Sequence, residues 1–219
     1  MFAVLFEVTP KPEQWDRYLA LAKRLKPEIE RIDGFIDNER FASRRDKGRL
    51  LSLSTWRDEK ALIRWRTLEI HHKVQETGRF EVFQDYHLRI GEITADGAPP
   101  PGLAVRQERL DETEIGAAKA VTICELAPRD GAPATDDLAT SLGLPKSGTQ
   151  GLIDHETYES IYNPGKKLLL AGWRDAAAAA AWQPQMQVGL SLRHRVVRVV
   201  RDYGMRDRRE APQYYPAVA

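Results

Sequence analysis

An internal repeat constrains this chain more than any other feature. Residues 34–65 read GFIDNERFASRRDKGRLLSLSTWRDEKALIRW and residues 151–182 read GLIDHETYESIYNPGKKLLLAGWRDAAAAAAW, aligned without a gap at an offset of 117 and identical at 13 of 32 positions. Both Trp-Arg-Asp triplets and both terminal tryptophans are shared. The same offset sets Ala3-Val4 on Ala120-Val121 and Asp85-Tyr86 on Asp202-Tyr203. A sequence that repeats itself over this length holds two copies of one folding unit, of about 90 residues each. The copies are expected at residues 1–93 and 119–206, joined by a connector at 94–118 and followed by a tail at 207–219.

Each copy reads as strand, helix, strand, strand, helix, strand. Phe2, Val4, Phe6 and Val8 alternate at period two, which predicts a strand over 2–8. From Glu13 to Ile32, Trp15, Leu19, Ala22, Leu25 and Ile29 recur every three or four residues, which gives a helix one apolar face. Phe35 to Ser43 and Arg49 to Trp56 are expected to pair across the turn Arg45-Asp46-Lys47-Gly48, and Asn163-Pro164-Gly165 turns the second copy. Asp58 and Asp175 stand where a helix takes its N-cap. Final strands are expected over Phe80 to Ile90 and Val196 to Tyr203.

The order βαββαβ is the ferredoxin-like arrangement, an antiparallel sheet with both helices on one face. The fold class is therefore α+β, and two such units can bury their free faces against each other as an intramolecular pseudo-dimeric barrel. Further association into homo-oligomers remains open. The connector, with Gly97-Ala98-Pro99-Pro100-Pro101-Gly102 at its core, reads as stiff, polar and long enough to let the copies pair. The tail shows no period and is expected either to lie on the surface or to drape over a groove. The stretch from Asp130 to Gly151, where the second copy's first helix belongs, is too rich in glycine, proline and small residues to place it.

Charge and cysteine content narrow the partners. Thirty-three basic against 32 acidic residues leave no net field to draw nucleic acid, and no apolar run approaches the roughly 18 residues of a membrane span. The single cysteine, Cys124, excludes an internal disulfide and a multi-cysteine metal centre, and fits a cytoplasmic location. No metal site is expected. A small-molecule site is the better default.

The stretch from Thr55 to Ile93 carries Trp56-Arg57, Trp65, His71-His72, Val74-Gln75, Gly78-Arg79 and Tyr86 in that order. In this it resembles the antibiotic biosynthesis monooxygenase domain, a dimeric α/β-barrel family of ferredoxin-like units. The resemblance covers the first copy throughout and the second mainly in its middle. It implies a cofactor-independent monooxygenase acting with O2 on a small aromatic substrate of phenolic or quinol type. It offers two alternatives: a barrel that binds or degrades haem, and a barrel that binds a ligand without turnover. Two positions depart from the family's patterns: Phe6 replaces the asparagine of haem-degrading members, and Ala61 replaces the asparagine one turn before the tryptophan of metal-free oxygenases.

His71 and His72 are the candidate general bases, and either would serve as an axial ligand in the haem alternative. On an ideal helix, Ala61, Trp65, Leu68 and His72 form one stripe, whereas the family spacing favours His71. Trp65 would wall an aromatic substrate, though Trp182 in the other copy equally suggests packing. Asn38 and Arg40 share one face of a strand and would orient an oxyanion, or else be solvated. Tyr86 and Phe6 complete the expected substrate contacts, although Tyr203 at the matching offset suggests that Tyr86 packs. In the second copy the histidine positions hold Val188 and Gly189, so one copy is expected to carry the site.

Overall fold

The computed structural model describes residues 1–129, 136–186 and 188–216. Strands β1 (Phe2–Pro10), β2 (Phe35–Ser43), β3 (Leu50–Trp56) and β4 (Phe83–Asp96) belong to the first unit. Strands β5 (Ala120–Pro128), β6 (Leu152–Ser160), β7 (Lys167–Trp173) and β8 (Leu190–Gly204) belong to the second. They close into an antiparallel barrel in the order β1-β3-β2-β6-β7-β5-β8-β4. Two seams join the units, one long between β4 and β8 and one of three residue pairs between β2 and β6. The fold is thus two ferredoxin-like units forming an intramolecular pseudo-dimeric α/β-barrel.

Strand alternation sorts the side chains. Ala3, Leu5, Val121 and Ile123 point into the barrel with Phe41, Leu51 and Tyr158, whereas Phe2, Val4, Phe6 and Val8 point outward. Outside the first unit lie α1 (Trp15–Glu30), α2 (Glu59–Thr67) and α3 (Glu69–Thr77). Helix α1 buries Tyr18, Ala22 and Ile29, the face its apolar spacing defines. Among the described residues the second unit shows α4 (Leu138–Ser141), a single turn, and α5 (Ala176–Ala181). Part of the Asp130–Gly151 stretch, residues 130–135, lies outside the described residues.

The expected caps form. The Asp58 carboxylate accepts the Ala61 N–H at 2.8 Å and that of Asp175 accepts the Ala178 N–H at 2.7 Å. Ahead of each cap, Gly34 (φ +90°) and Gly151 (φ +82°) sit where an added Cβ would come within 2.7 Å of Ala61 and 2.5 Å of Ala178. Only glycine brings the chain this close to the following helix.

Three expectations are corrected. The final strands differ from 80–90 and 196–203: Gly78–Val82 is a π-helical turn, and both strands run longer. The constant offset also fails outside the middle of the repeat. Val121, not Ala120, lies opposite Gly172 as Ala3 lies opposite Thr55, so β5 is displaced by one residue. Finally, Tyr86 faces Val8, whereas the register opposite Leu126, the counterpart of Val8, holds Leu192 rather than Tyr203. Among the described residues the second unit has no counterpart of α3 before its last strand, and β8 begins earlier along the repeat. Tyr203 falls beyond β5 and pairs with Leu88 of β4.

Candidate active site

The single stripe expected from Ala61 to His72 does not form, because the chain breaks at Leu68. That residue is extended, with φ −63° and ψ 126°, and separates α2 from α3. The break turns His71 back onto Trp65. The two rings stack at 4.0 Å between centroids, 15° from parallel. His72 instead lies against the tail, its Nδ1 3.2 Å from the Tyr215 hydroxyl and its Nε2 3.7 Å from Glu76.

The Trp65–His71 stack forms part of the wall of a cavity of about 200 Å³ between the first unit's sheet and its helices. Val4, Phe6, Leu88 and Ile90 supply its sheet side, and Ala22, Leu25 and Ile29 of α1 face them. Asn38, Arg40 and Tyr86 also line it, so of the candidate residues only His72 stands outside the lining. The Asn38 amide donates to the Ser52 hydroxyl and the Leu53 carbonyl oxygen, each at 3.0 Å, which fixes its orientation on the sheet. Arg40 reaches the hydroxyls of Tyr18 and Tyr162.

His71 is held as a neutral imidazole. Its Nδ1 lies 2.9 Å from the Trp65 carbonyl oxygen; a carbonyl only accepts, so Nδ1 carries the hydrogen. Burial pushes its pKa down to about 4 and outweighs the support of that hydrogen bond. The Nε2 lone pair remains available at the cavity.

Residues that sequence reasoning missed close the other end. Tyr203 lines the cavity, as do Arg208, Gln213 and Tyr215 of the tail. The tail therefore drapes over the first unit. Arg208 donates to the Tyr86 hydroxyl at 2.5 Å, Arg79 donates to the same oxygen at 3.2 Å, and Arg79 also holds the Pro216 carbonyl oxygen at 3.2 Å. The near-match of Asp85-Tyr86 with Asp202-Tyr203 had suggested that the two tyrosines are equivalent. They are neighbours at one site.

The corresponding face of the second unit is packed. Trp182 lies 5.7 Å from Trp173, donates its indole N–H to the Gly143 carbonyl oxygen at 3.1 Å, and is buried with Leu138 and Leu142. Val188, at a lost histidine position, is fully exposed.

Residues 1–77 match the family model described as antibiotic biosynthesis monooxygenase. The chain is also 43% identical, over 99% of both sequences, to jasmonate monooxygenase ABM of Pyricularia oryzae. The chain belongs to the antibiotic biosynthesis monooxygenase family. Among solved structures, an aldoxime dehydratase superposes with a TM-score of 0.56 at 12% identity, covering 90% of this chain and 80% of that one, a likeness of fold alone. A solved antibiotic biosynthesis monooxygenase gives a TM-score of 0.38 at 21% identity, covering 45% of this chain and 100% of its own.

The haem alternative meets a poor fit. The cavity, at about 200 Å³, is smaller than the roughly 300–1,000 Å³ of sites that take drug-sized ligands. No helix among the described residues is long and apolar enough to cross a membrane.

Proposed function

We propose that this family member oxidises a small cyclic molecule with O2 inside the first unit's cavity, with His71 and Trp65 against the reacting ring. The observation that carries this reading is the neutral, half-buried imidazole of His71, whose Nδ1 is engaged by the Trp65 carbonyl oxygen and whose ring lines a largely apolar cavity.

For a phenolic or quinol-like substrate, the substrate itself supplies the electrons and no cofactor takes part. His71 Nε2 accepts the phenolic O–H as a hydrogen bond. A base this weak does not ionise a resting phenol. It takes the proton as an electron passes to O2, because a phenol that has lost an electron is strongly acidic. The resulting radicals combine at a ring carbon, and loss of water leaves a carbonyl there: phenol plus O2 gives quinone plus water. Trp65 and Phe6 flank the ring, Asn38 and Tyr86 lie within the same wall for the substrate's oxygens, and the apolar lining keeps water from the radical pair.

The relative from Pyricularia oryzae favours a second substrate, jasmonate. Oxygen uptake and 18O2 incorporation with a quinol panel and with jasmonate decide between them. A labelled product lost in His71→Ala supports the site; turnover unaffected by that substitution overturns it.

A further inference from the structure

Arginines inside and around the barrel are mostly neutralised. Arg49 and Arg89 pair with Glu7, Arg193 with Asp96 and Arg195 with Glu125. The four that line the cavity, Arg40, Arg66, Arg79 and Arg208, are different. Among the described residues none of them pairs with a carboxylate and no Asp or Glu lines the cavity; each also has a buried Nε without an acceptor, as the paired Arg89 and Arg195 do.

Three of these four gather at the end closed by the tail. Arg79, 3% exposed, and Arg208 both donate to the Tyr86 hydroxyl, and the Arg208 guanidinium lies 5.1 Å from the ring of Tyr215 and 5.5 Å from that of Tyr203. Arg66 of α2 lines the cavity at this end, its backbone carbonyl accepting from the Gln213 amide of the tail at 3.5 Å. Their partners are phenols, backbone carbonyls and ring faces, which orient a guanidinium without cancelling its charge. Glu76, the nearest acid of α3, turns outward to His72. Arg79 is buried and Arg66 and Arg208 are partly exposed; gathering like charges there without a counter-ion is unfavourable, and an anion bound among them would offset it. The planar guanidinium fork matches a carboxylate, and the remaining walls are apolar.

We infer that the molecule bound in this cavity is a small monocarboxylic acid, its carboxylate held by Arg66, Arg79 and Arg208 and its apolar body laid along Val4, Phe6 and Ile90 toward the Trp65–His71 stack. This rests on the reading of the cavity as the substrate site. It adds what selects the substrate: a free acid group at the tail end, with the ring at the histidine end.

The test is equilibrium binding of jasmonate, phenylacetate and cyclohexylacetate, each against its methyl ester, followed by calorimetry. The acid of at least one pair is expected to bind on the order of tenfold or more tightly than its ester. That preference should shrink toward unity in Arg66→Gln and in Arg208→Gln and persist in Arg24→Gln, an exposed arginine of α1. Arg79→Lys keeps the charge but loses the fork and should weaken the preference in part. The inference is overturned if acids and esters bind alike, if the preference survives both glutamine variants, or if no acid binds. Acid binding without oxygen uptake would sink the oxidation reading and leave this one standing; quinol turnover without acid binding would do the reverse.

Discussion

Tyr215 of the tail and His72 of α3 touch across 143 residues of chain: the hydroxyl lies 3.2 Å from Nδ1, and the rings stack at 5.8 Å. Tyr215 also lines the cavity, so this contact fastens the tail over the site. Tyr215→Ala removes one hydrogen bond and its stacking, worth about 0.5–1.5 kcal/mol. The expected outcome is a severalfold rise in KM with kcat little changed, and faster amide exchange in α3. A fall in kcat at unchanged KM would assign Tyr215 to the chemistry instead.

Two histidines shape stability against pH in opposite directions. His71 drops from 6.5 to about 4 on folding, so the unfolded chain binds more protons in that window. Its contribution is complete above pH 6.5 and is lost as pH falls toward 4. Burial opposes the charge of His87, but the carboxylates of Asp202 and Glu7 outweigh it and raise the group from 6.5 to about 9. That contribution is complete below pH 6.5 and is lost as pH rises through 9. Melting temperatures across this range should show His71→Phe with a flatter acid limb and His87→Gln with a flatter alkaline limb than the parent.

The paired tryptophans separate packing from function. Trp182→Ala empties the packed face of the second unit and is expected to cost about 3–5 kcal/mol of unfolding free energy, with ligand affinity in the first unit unchanged. Trp65→Phe keeps the face apolar and alters the surface against the substrate. It is expected to change turnover more than stability. Denaturant melts and oxygen uptake measured on both variants check this division.

Asp58→Ala and Asp175→Ala each remove an N-cap at equivalent positions of the two units. Each should destabilise by about 1 kcal/mol. The caps belong to different units and share no partner, so the double variant should lose about the sum. A clear departure from additivity in denaturant melts would show that the two helices are coupled through the barrel.

The architecture was legible because it rests on local chemistry: period-two strands, the glycine-ended turns Arg45-Asp46-Lys47-Gly48 and Asn163-Pro164-Gly165, and caps placed before the helices. Among the candidate residues, Phe6, Asn38, Arg40 and Tyr86 fall on the cavity because strand alternation fixes their face. The choice of histidine was not legible. Leu68 breaks the helix without a proline or glycine to announce it, so the α2–α3 phase follows from packing rather than from propensity. The equivalence of Tyr86 and Tyr203 misled because a matching dipeptide hides the shortened path into β8, and only the register opposite Leu126 shows it. The arginines at the tail end gave no pattern at all, being brought together from α2, the π-helical turn and the C-terminal tail.

The crossing of β8 and the tail onto the first unit changes what the duplication means. Tyr203, Arg208 and Tyr215 come from the second half of the chain yet enclose a cavity on the first. The second half is therefore no idle scaffold. Its C-terminal end forms part of the wall of its sister's cavity, while its own helical face is filled by Trp182. Separating the two halves into independent polypeptides would take Tyr203, Arg208 and Tyr215 out of the wall of the first unit's cavity.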